Sequence, residues 1–66
     1  MTELDVWRSA HILMKRYHTE AVLIATKRAE ALLEQSDREG FLTWIRIAKA
    51  ITDLERKSAS NREMLH

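Results

Sequence analysis

The apolar residues of this chain recur every three or four positions, and their spacing predicts three helices. In the first helix, at about residues 3–17, the apolar side chains fall on one stripe when each residue is rotated by about 100° from the last. The stripe consists of Val6, Trp7, Ala10, Leu13, Met14 and Tyr17. Such a stripe is typical of a helix that packs one side against the rest of the protein.

The second predicted helix, at about residues 20–35, has an apolar stripe that is rich in alanine. Its members are Ala21, Val22, Ala25, Ala29, Leu32 and Leu33. Because alanine side chains are small, they let the backbones of neighbouring helices approach closely. We therefore expect the second helix to lie close against another helix.

The third predicted helix, at about residues 37–57, has apolar residues over about half of its circumference. They are Phe41, Trp44, Ile45, Ile47, Ala48, Ile51 and Leu54. A helix with so wide an apolar surface must contact more than one neighbour. The sequence therefore predicts an all-α fold, a three-helix bundle or a helical hairpin plus a third helix, in which the first two helices flank the third. Residues 1–57 form its single domain, and the fading pattern over residues 58–66 predicts a flexible C-terminal tail.

The helix ends must be set by capping residues, because the chain has no proline and a single glycine. Thr2, Thr19 and Ser36 are the predicted N-caps of the three helices. Glu39 follows Ser36 by three residues, which predicts a capping box. Gly40 is expected to allow the second helix or its junction to approach closely.

Length and composition limit the classes of function. A 66-residue chain buries only about 60% of its unfolded surface, and without cysteine it cannot add disulfides, so a partner or a second copy is the expected supplement. The 11 basic and 10 acidic residues give a net charge of +1, unlike the strongly basic balance of most nucleic-acid binders. Without a signal segment or a long apolar run, we expect a cytoplasmic protein with no membrane partner.

Three apolar residues fall on helix faces that are otherwise polar, and they indicate an interface. These are Ile12, Leu23 and Leu42. A contiguous apolar patch on a protein surface most often marks an interaction site. Together with the broad third helix, the candidate interface comprises Ile12, Leu23, Leu42, Trp44, Ile47 and Ile51, with Trp44 as the anchor. The resulting hypothesis is a protein–protein interaction or regulatory module, homodimeric through the third helix and this surface.

The alternative hypothesis is a small nucleic-acid-associated regulator that uses the basic side of the third helix. The candidate contacts are Arg38, Arg46, Lys49 and Arg56. In a helix-turn-helix motif, this helix would be the recognition helix. Glu39, Asp53 and Glu55, however, place negative charge where phosphate would bind. Protein interaction is therefore favoured over nucleic-acid binding.

The remaining polar residues do not form a pattern typical of catalysis or metal binding. His11 and His18 share a helix face, but two turns separate them by about 10 Å, too far to hold one metal ion. Ser9, Thr43 and Ser58 lie at spacings that would not build a catalytic triad. The sequence thus predicts no enzymatic activity, no metal site and no cofactor.

Two local patterns carry a resemblance to a known family. They are Trp7-x2-Ala10 and Asp37-x2-Gly40-x3-Trp44-x2-Ile47. Over roughly residues 4–54 the chain resembles a family of small bacterial proteins of unknown function, best represented in alphaproteobacteria. The resemblance implies a helical fold and supplies no activity.

Overall fold

The computed structural model describes the backbone of residues 2–64 and the side chains of residues 2–57. The described residues form three α-helices, α1 (Glu3–Tyr17), α2 (Ala21–Glu34) and α3 (Arg38–Met64), and a 3-10 turn (His18–Glu20) joins α1 to α2. Both α1 and α2 pack mainly against α3. The predicted all-α fold, in which the first two helices flank the third, is confirmed. None of the described helices combines the length and the apolar character that a membrane span requires.

The helices α2 and α3 form an antiparallel hairpin, and two contacts show their register. The Arg28 guanidinium carbon lies 5.0 Å from the centre of the Trp44 ring. One turn further along α2, Leu32 Cδ1 lies 2.9 Å from the position that a Cβ atom on Gly40 would occupy. A step of four residues forward in α2 therefore matches a step of four residues back in α3.

Alanines of α2 and isoleucines of α3 make up much of the core. Ala21, Ala25 and Ala29 are completely buried, and Ile47 and Ile51 are the largest fully buried side chains of the described residues. Extending the register of the hairpin places Ala21 opposite Ile51. Val6, Ala10 and Leu13 add the contribution of α1. The alanines thus let α2 lie close to α3, as its stripe predicts.

Two buried alanines show why α3 needs two neighbours. Ala48 and Ala50 are both buried. Residues two positions apart on a helix are rotated by about 200° from each other, so these two side chains point to different sides of α3. A helix with one neighbour would expose one of them, whereas α3 has α2 and α1 against it.

The start of α1 follows the prediction. The Thr2 hydroxyl accepts a hydrogen bond from the Asp5 N–H at 3.3 Å, and the Asp5 carboxylate accepts one from the Thr2 N–H at 3.2 Å. This reciprocal pair is a capping box. The bond from the Thr2 N–H, together with one from its hydroxyl, holds the pKa of the Asp5 carboxyl below its ordinary value.

The junction between α1 and α2 differs from the prediction. Residues 18–20 form a 3-10 turn, and α2 begins without a side-chain cap, so the prediction of Thr19 as an N-cap is wrong. The backbone turns at His18, which has φ 52° and ψ −120° and donates its N–H to the Met14 carbonyl. Because the backbone itself makes the turn there, no capping hydroxyl is used.

The end of α2 is a Schellman motif centred on Ser36. The Asp37 N–H donates to the Leu32 carbonyl at 2.8 Å, and the Ser36 N–H donates to the Leu33 carbonyl at 3.0 Å. Ser36 has φ 64°, the left-handed conformation that this motif requires at its penultimate position. Ser36 therefore ends α2 and is not available to begin α3.

Asp37 is the N-cap of α3. Its carboxylate Oδ1 accepts a hydrogen bond from the Gly40 N–H at 2.9 Å. The prediction of Ser36 as the cap, with Glu39 as its capping-box partner, is wrong by one position. The prediction for Gly40 is confirmed, because a Cβ atom there would lie 2.6 Å from Asp37 Oδ2 and 2.9 Å from Leu32 Cδ1.

The third helix extends beyond the last residue of its apolar pattern. It continues to Met64, seven residues beyond the predicted end at Lys57. Residues 58–64 contain neither proline nor glycine, so nothing in them breaks the backbone hydrogen bonds of the helix. The flexibility predicted for residues 58–66 stays a prediction, since their side chains and all of residues 65 and 66 lie outside the described residues.

Candidate interaction surface on α3

One side of α3 is turned away from both α1 and α2, and we call it the outer face. It consists of Arg38, Leu42, Ile45, Arg46, Lys49 and Arg56, and all six are exposed. Positions 38, 42, 45, 49 and 56 follow one another at helical spacing, so they share one side of the cylinder, and position 46 lies at its edge. The outer face therefore runs along much of α3.

An apolar pair lies within this face. Leu42 is 49% exposed and Ile45 is 38% exposed. The two residues are one turn apart, which makes them neighbours on the helix surface. Ile45 is two positions from Ile47, and the rotation of about 200° between them explains why one faces solvent while the other is buried.

The charges of the outer face are mainly positive. Arg38 and Lys49 each lie one turn from the apolar pair, on opposite sides of it, and Arg46 lies beside it. Arg56 continues the row two turns further along α3. Four cations and two apolar residues thus share a face on which the described residues place one carboxylate, the partly buried Asp53, between the positions of Lys49 and Arg46 around the helix.

A cleft of about 340 Å³ lies beside the outer face, between the start of α1 and the middle of α3. It is lined by Glu3, Val6 and Trp7 of α1 and by Arg46, Lys49, Ala50 and Asp53 of α3. Arg46 and Lys49 therefore belong to both the cleft and the outer face. Glu3 and Asp53 bring two carboxylates to the same cleft, and these partly offset the charge of Arg46 and Lys49.

Ile12 and Leu23 are exposed as predicted, but they do not join Leu42 in one patch. Ile12 is 61% exposed and Leu23 is 53% exposed. Each lies two positions from a buried alanine of its own helix, Ala10 in α1 and Ala21 in α2. The rotation of about 200° turns each away from the shared core on a different side of the bundle. The contiguous surface expected from these residues is therefore not formed.

Three other predicted interface residues face the inside of the protein. Ile47 is 1% exposed and Ile51 is 0% exposed, so the prediction that they belong to an interface is wrong, because they fill the core between the helices. Trp44 is half-buried, packs against the core and lies under the Arg28 guanidinium of α2. Of the six predicted residues, Leu42 alone lies on the outer face.

The four predicted nucleic-acid contacts do lie together. Arg38, Arg46, Lys49 and Arg56 are all exposed on the outer face or at its edge. Ile45 was not among the predicted interface residues, because it was counted among the apolar residues of the broad stripe. The sequence contains the information needed to place Ile45, because it is two positions from the core residue Ile47, and residues two positions apart lie on different sides of a helix.

Comparisons of the chain with protein-family models, with curated proteins and with solved structures give no match. The family resemblance drawn from the sequence stays a prediction. Within the residues searched for ligands, no group of three or more histidine, cysteine or acidic side chains is placed to hold a metal ion.

Proposed function

We propose that this protein is a helical interaction module that binds another protein through the outer face of α3. The observation that carries this proposal is the exposed pair Leu42 and Ile45, on a helix whose opposite side already supplies the core. An apolar centre with a polar and charged rim is the usual anatomy of a protein–protein interface. Each of the two side chains keeps a large exposed fraction that a partner could cover.

A homodimer through the same face is the arrangement expected from the sequence, and the charges disfavour it. A two-fold axis pairs one surface with itself. If two α3 helices crossed antiparallel at the apolar pair, Arg38 would approach Lys49 of the second copy. If they ran parallel, each cation would face its own equivalent. Like charges across an interface oppose association, so a different protein is the better occupant.

Nucleic acid is the second candidate, and the observation in its favour is the row of four exposed cations. Phosphate groups would neutralise that row. They would leave Leu42 and Ile45 without apolar contacts, although these residues lie in the middle of the face. A protein partner uses both the cations and the apolar pair, and this favours the first proposal.

Photo-crosslinking in the native host tests the proposal. A photo-reactive amino acid is placed at position 45, and matched controls carry it at positions 12 and 23, which are also exposed and apolar but lie on α1 and α2. We expect a discrete protein adduct from position 45 that the controls do not form and that Leu42→Ser in the same chain abolishes.

The mass and composition of the adduct separate the candidates. An adduct with one other protein supports the proposal, an adduct of two copies supports the homodimer, and an adduct with nucleic acid supports the second candidate. Equal labelling from positions 12, 23 and 45 would contradict any specific use of the outer face, as would no adduct from position 45.

A further inference from the structure

We infer that the partner presents an acidic amphipathic helix, with apolar side chains flanked by carboxylates, which lies along the outer face of α3. This inference rests on the proposed function, because it names the chemistry of the protein that would bind there. It depends on three features of the surface: the sign of its charges, their order along the helix and the cleft beside it.

The positive charge of the outer face is a local property. The whole chain is nearly neutral, with 11 basic and 10 acidic residues. Four of those basic residues are grouped on the outer face, and the described residues place one acid beside them, the partly buried Asp53, so the face keeps an excess of positive charge. A complementary partner must therefore be negative where it meets Arg38, Arg46 and Lys49, and electrostatic matching of this kind favours one class of partner over others.

The order of the residues fits a helix as the docking element. Arg38 and Arg56 are 18 residues apart, so the outer face extends for about 27 Å, the length of a helix of about five turns. The apolar pair lies between cations along this row. A helix with apolar residues at every third or fourth position could meet the pair while its flanking carboxylates meet the cations.

The cleft beside the outer face gives an apolar side chain of the partner a place to enter. Val6 and Ala50 contribute apolar surface to it, and Arg46 and Lys49 lie at its boundary with the outer face. Such a pocket next to charged residues is typical of the anchor position of an interface. A leucine-sized side chain could enter the cleft, while a carboxylate beside it would contact Arg46 or Lys49 from the outer face, because Glu3 and Asp53 also line the cleft.

Fluorescence anisotropy with the intact chain tests the inference. The probe is a labelled synthetic helix of about 18 residues, with leucine on one side and glutamate on both flanks. A matched probe has glutamine in place of every glutamate, and a third probe is duplex DNA of similar length. We expect the glutamate probe to bind at least about tenfold more tightly than the glutamine probe, and high salt to weaken it.

Variants of the chain assign the binding to the outer face. We expect Arg38→Glu with Lys49→Glu to weaken the glutamate probe by at least about tenfold, and Leu42→Ser with Ile45→Ser to weaken it similarly. Lys27→Glu is the matched control, because Lys27 is an exposed cation on α2, away from the outer face. It should leave binding unchanged. All these positions are exposed, so the variants should fold.

Three outcomes would overturn the inference. The glutamine probe could bind as tightly as the glutamate probe, which would remove the acidic requirement. The DNA could bind more tightly than either peptide and be unaffected by Leu42→Ser with Ile45→Ser, which would make the face a nucleic-acid surface. The acidic probe could also fail to bind while position 45 still forms its protein adduct, in which case the proposed function stands and the acidic partner does not.

Discussion

At the scale of single residues, the two helix junctions depend on backbone conformations that side-chain-bearing residues adopt at a cost. His18 has φ 52° and Ser36 has φ 64°. Glycine adopts positive φ readily because it has no Cβ atom, and it is the common residue at the position of Ser36 in a Schellman motif. The chain therefore retains strain at its turns that substitution can remove.

We expect Ser36→Gly to raise the free energy of unfolding by about 0.5–1 kcal/mol, because it relieves the left-handed strain at the end of α2. Urea denaturation measures the change. The matched control is Ser9→Gly, within α1, where glycine should lower stability by about 0.5 kcal/mol or more. A loss of stability from Ser36→Gly would contradict the role given to this residue.

Gly40 and Asp37 should be coupled energetically. A Cβ atom on Gly40 would come within 2.6 Å of the Asp37 carboxylate that caps α3. In an Asp37→Ala background, Gly40→Ala should gain up to about 1 kcal/mol from helix propensity, reduced by the shift that the methyl group forces on Leu32 Cδ1 at 2.9 Å. In the natural sequence that gain should be largely lost, because the methyl group displaces a cap worth about 1 kcal/mol. A double-mutant cycle measures the coupling, and strictly additive effects would rule it out.

Residue patterns predicted one of these helix starts and missed another for a physical reason. Thr2 is the predicted N-cap of α1, and no other residue nearby competes for that role. At the second junction Ser36 and Asp37 can both cap a helix. What decides between them is the backbone conformation at Ser36, which the sequence does not show.

At the scale of the helices, the alanine stripe of α2 controls how close that helix lies to α3. Ala25 is completely buried in the contact. We expect Ala25→Leu to lower the free energy of unfolding by about 1–3 kcal/mol, because the larger side chain must push the two helices apart. The control is Ala31→Leu at an exposed position of the same helix, which should change stability by less than about 0.5 kcal/mol. Equal effects from the two substitutions would contradict the close packing.

The same helices show how far periodicity can locate a site. The period of about 3.6 residues correctly placed the buried stripes, because burial is a property of whole helix faces. It could not divide the broad stripe of α3 into the parts that face α1, α2 and solvent, since that division depends on where the neighbours lie. Ile51 was therefore assigned to an interface although it is buried, and Ile45 was overlooked although it is exposed.

At the scale of the whole molecule, the shape follows from unequal helix lengths. The radius of gyration is 13.0 Å, larger than the value of about 11 Å expected for a compact chain of this size. The 27 residues of α3 extend for about 40 Å, whereas the 14 residues of α2 extend for about 21 Å. The long helix α3 therefore packs against α1 and α2 on one side and presents a continuous exposed surface on the other.

The distribution of charge over the surface is a second property of the whole molecule, and the amino-acid composition does not show it. A net charge of +1 predicts no preference among partners. The fold places four cations and an apolar pair together on α3, and two of these cations, Arg46 and Lys49, also line the cleft with Glu3 and Asp53. This grouping favours a partner other than a second copy.

The most direct measurement of that claim is the solution mass by light scattering across a concentration series. We expect a monomer of 7.8 kDa at every concentration, because two outer faces would bring their cations together. Leu42→Glu serves as the control and should give the same mass. A dimer of the natural chain that Leu42→Glu dissociates would contradict the account, since it would show that the outer face binds its own copy.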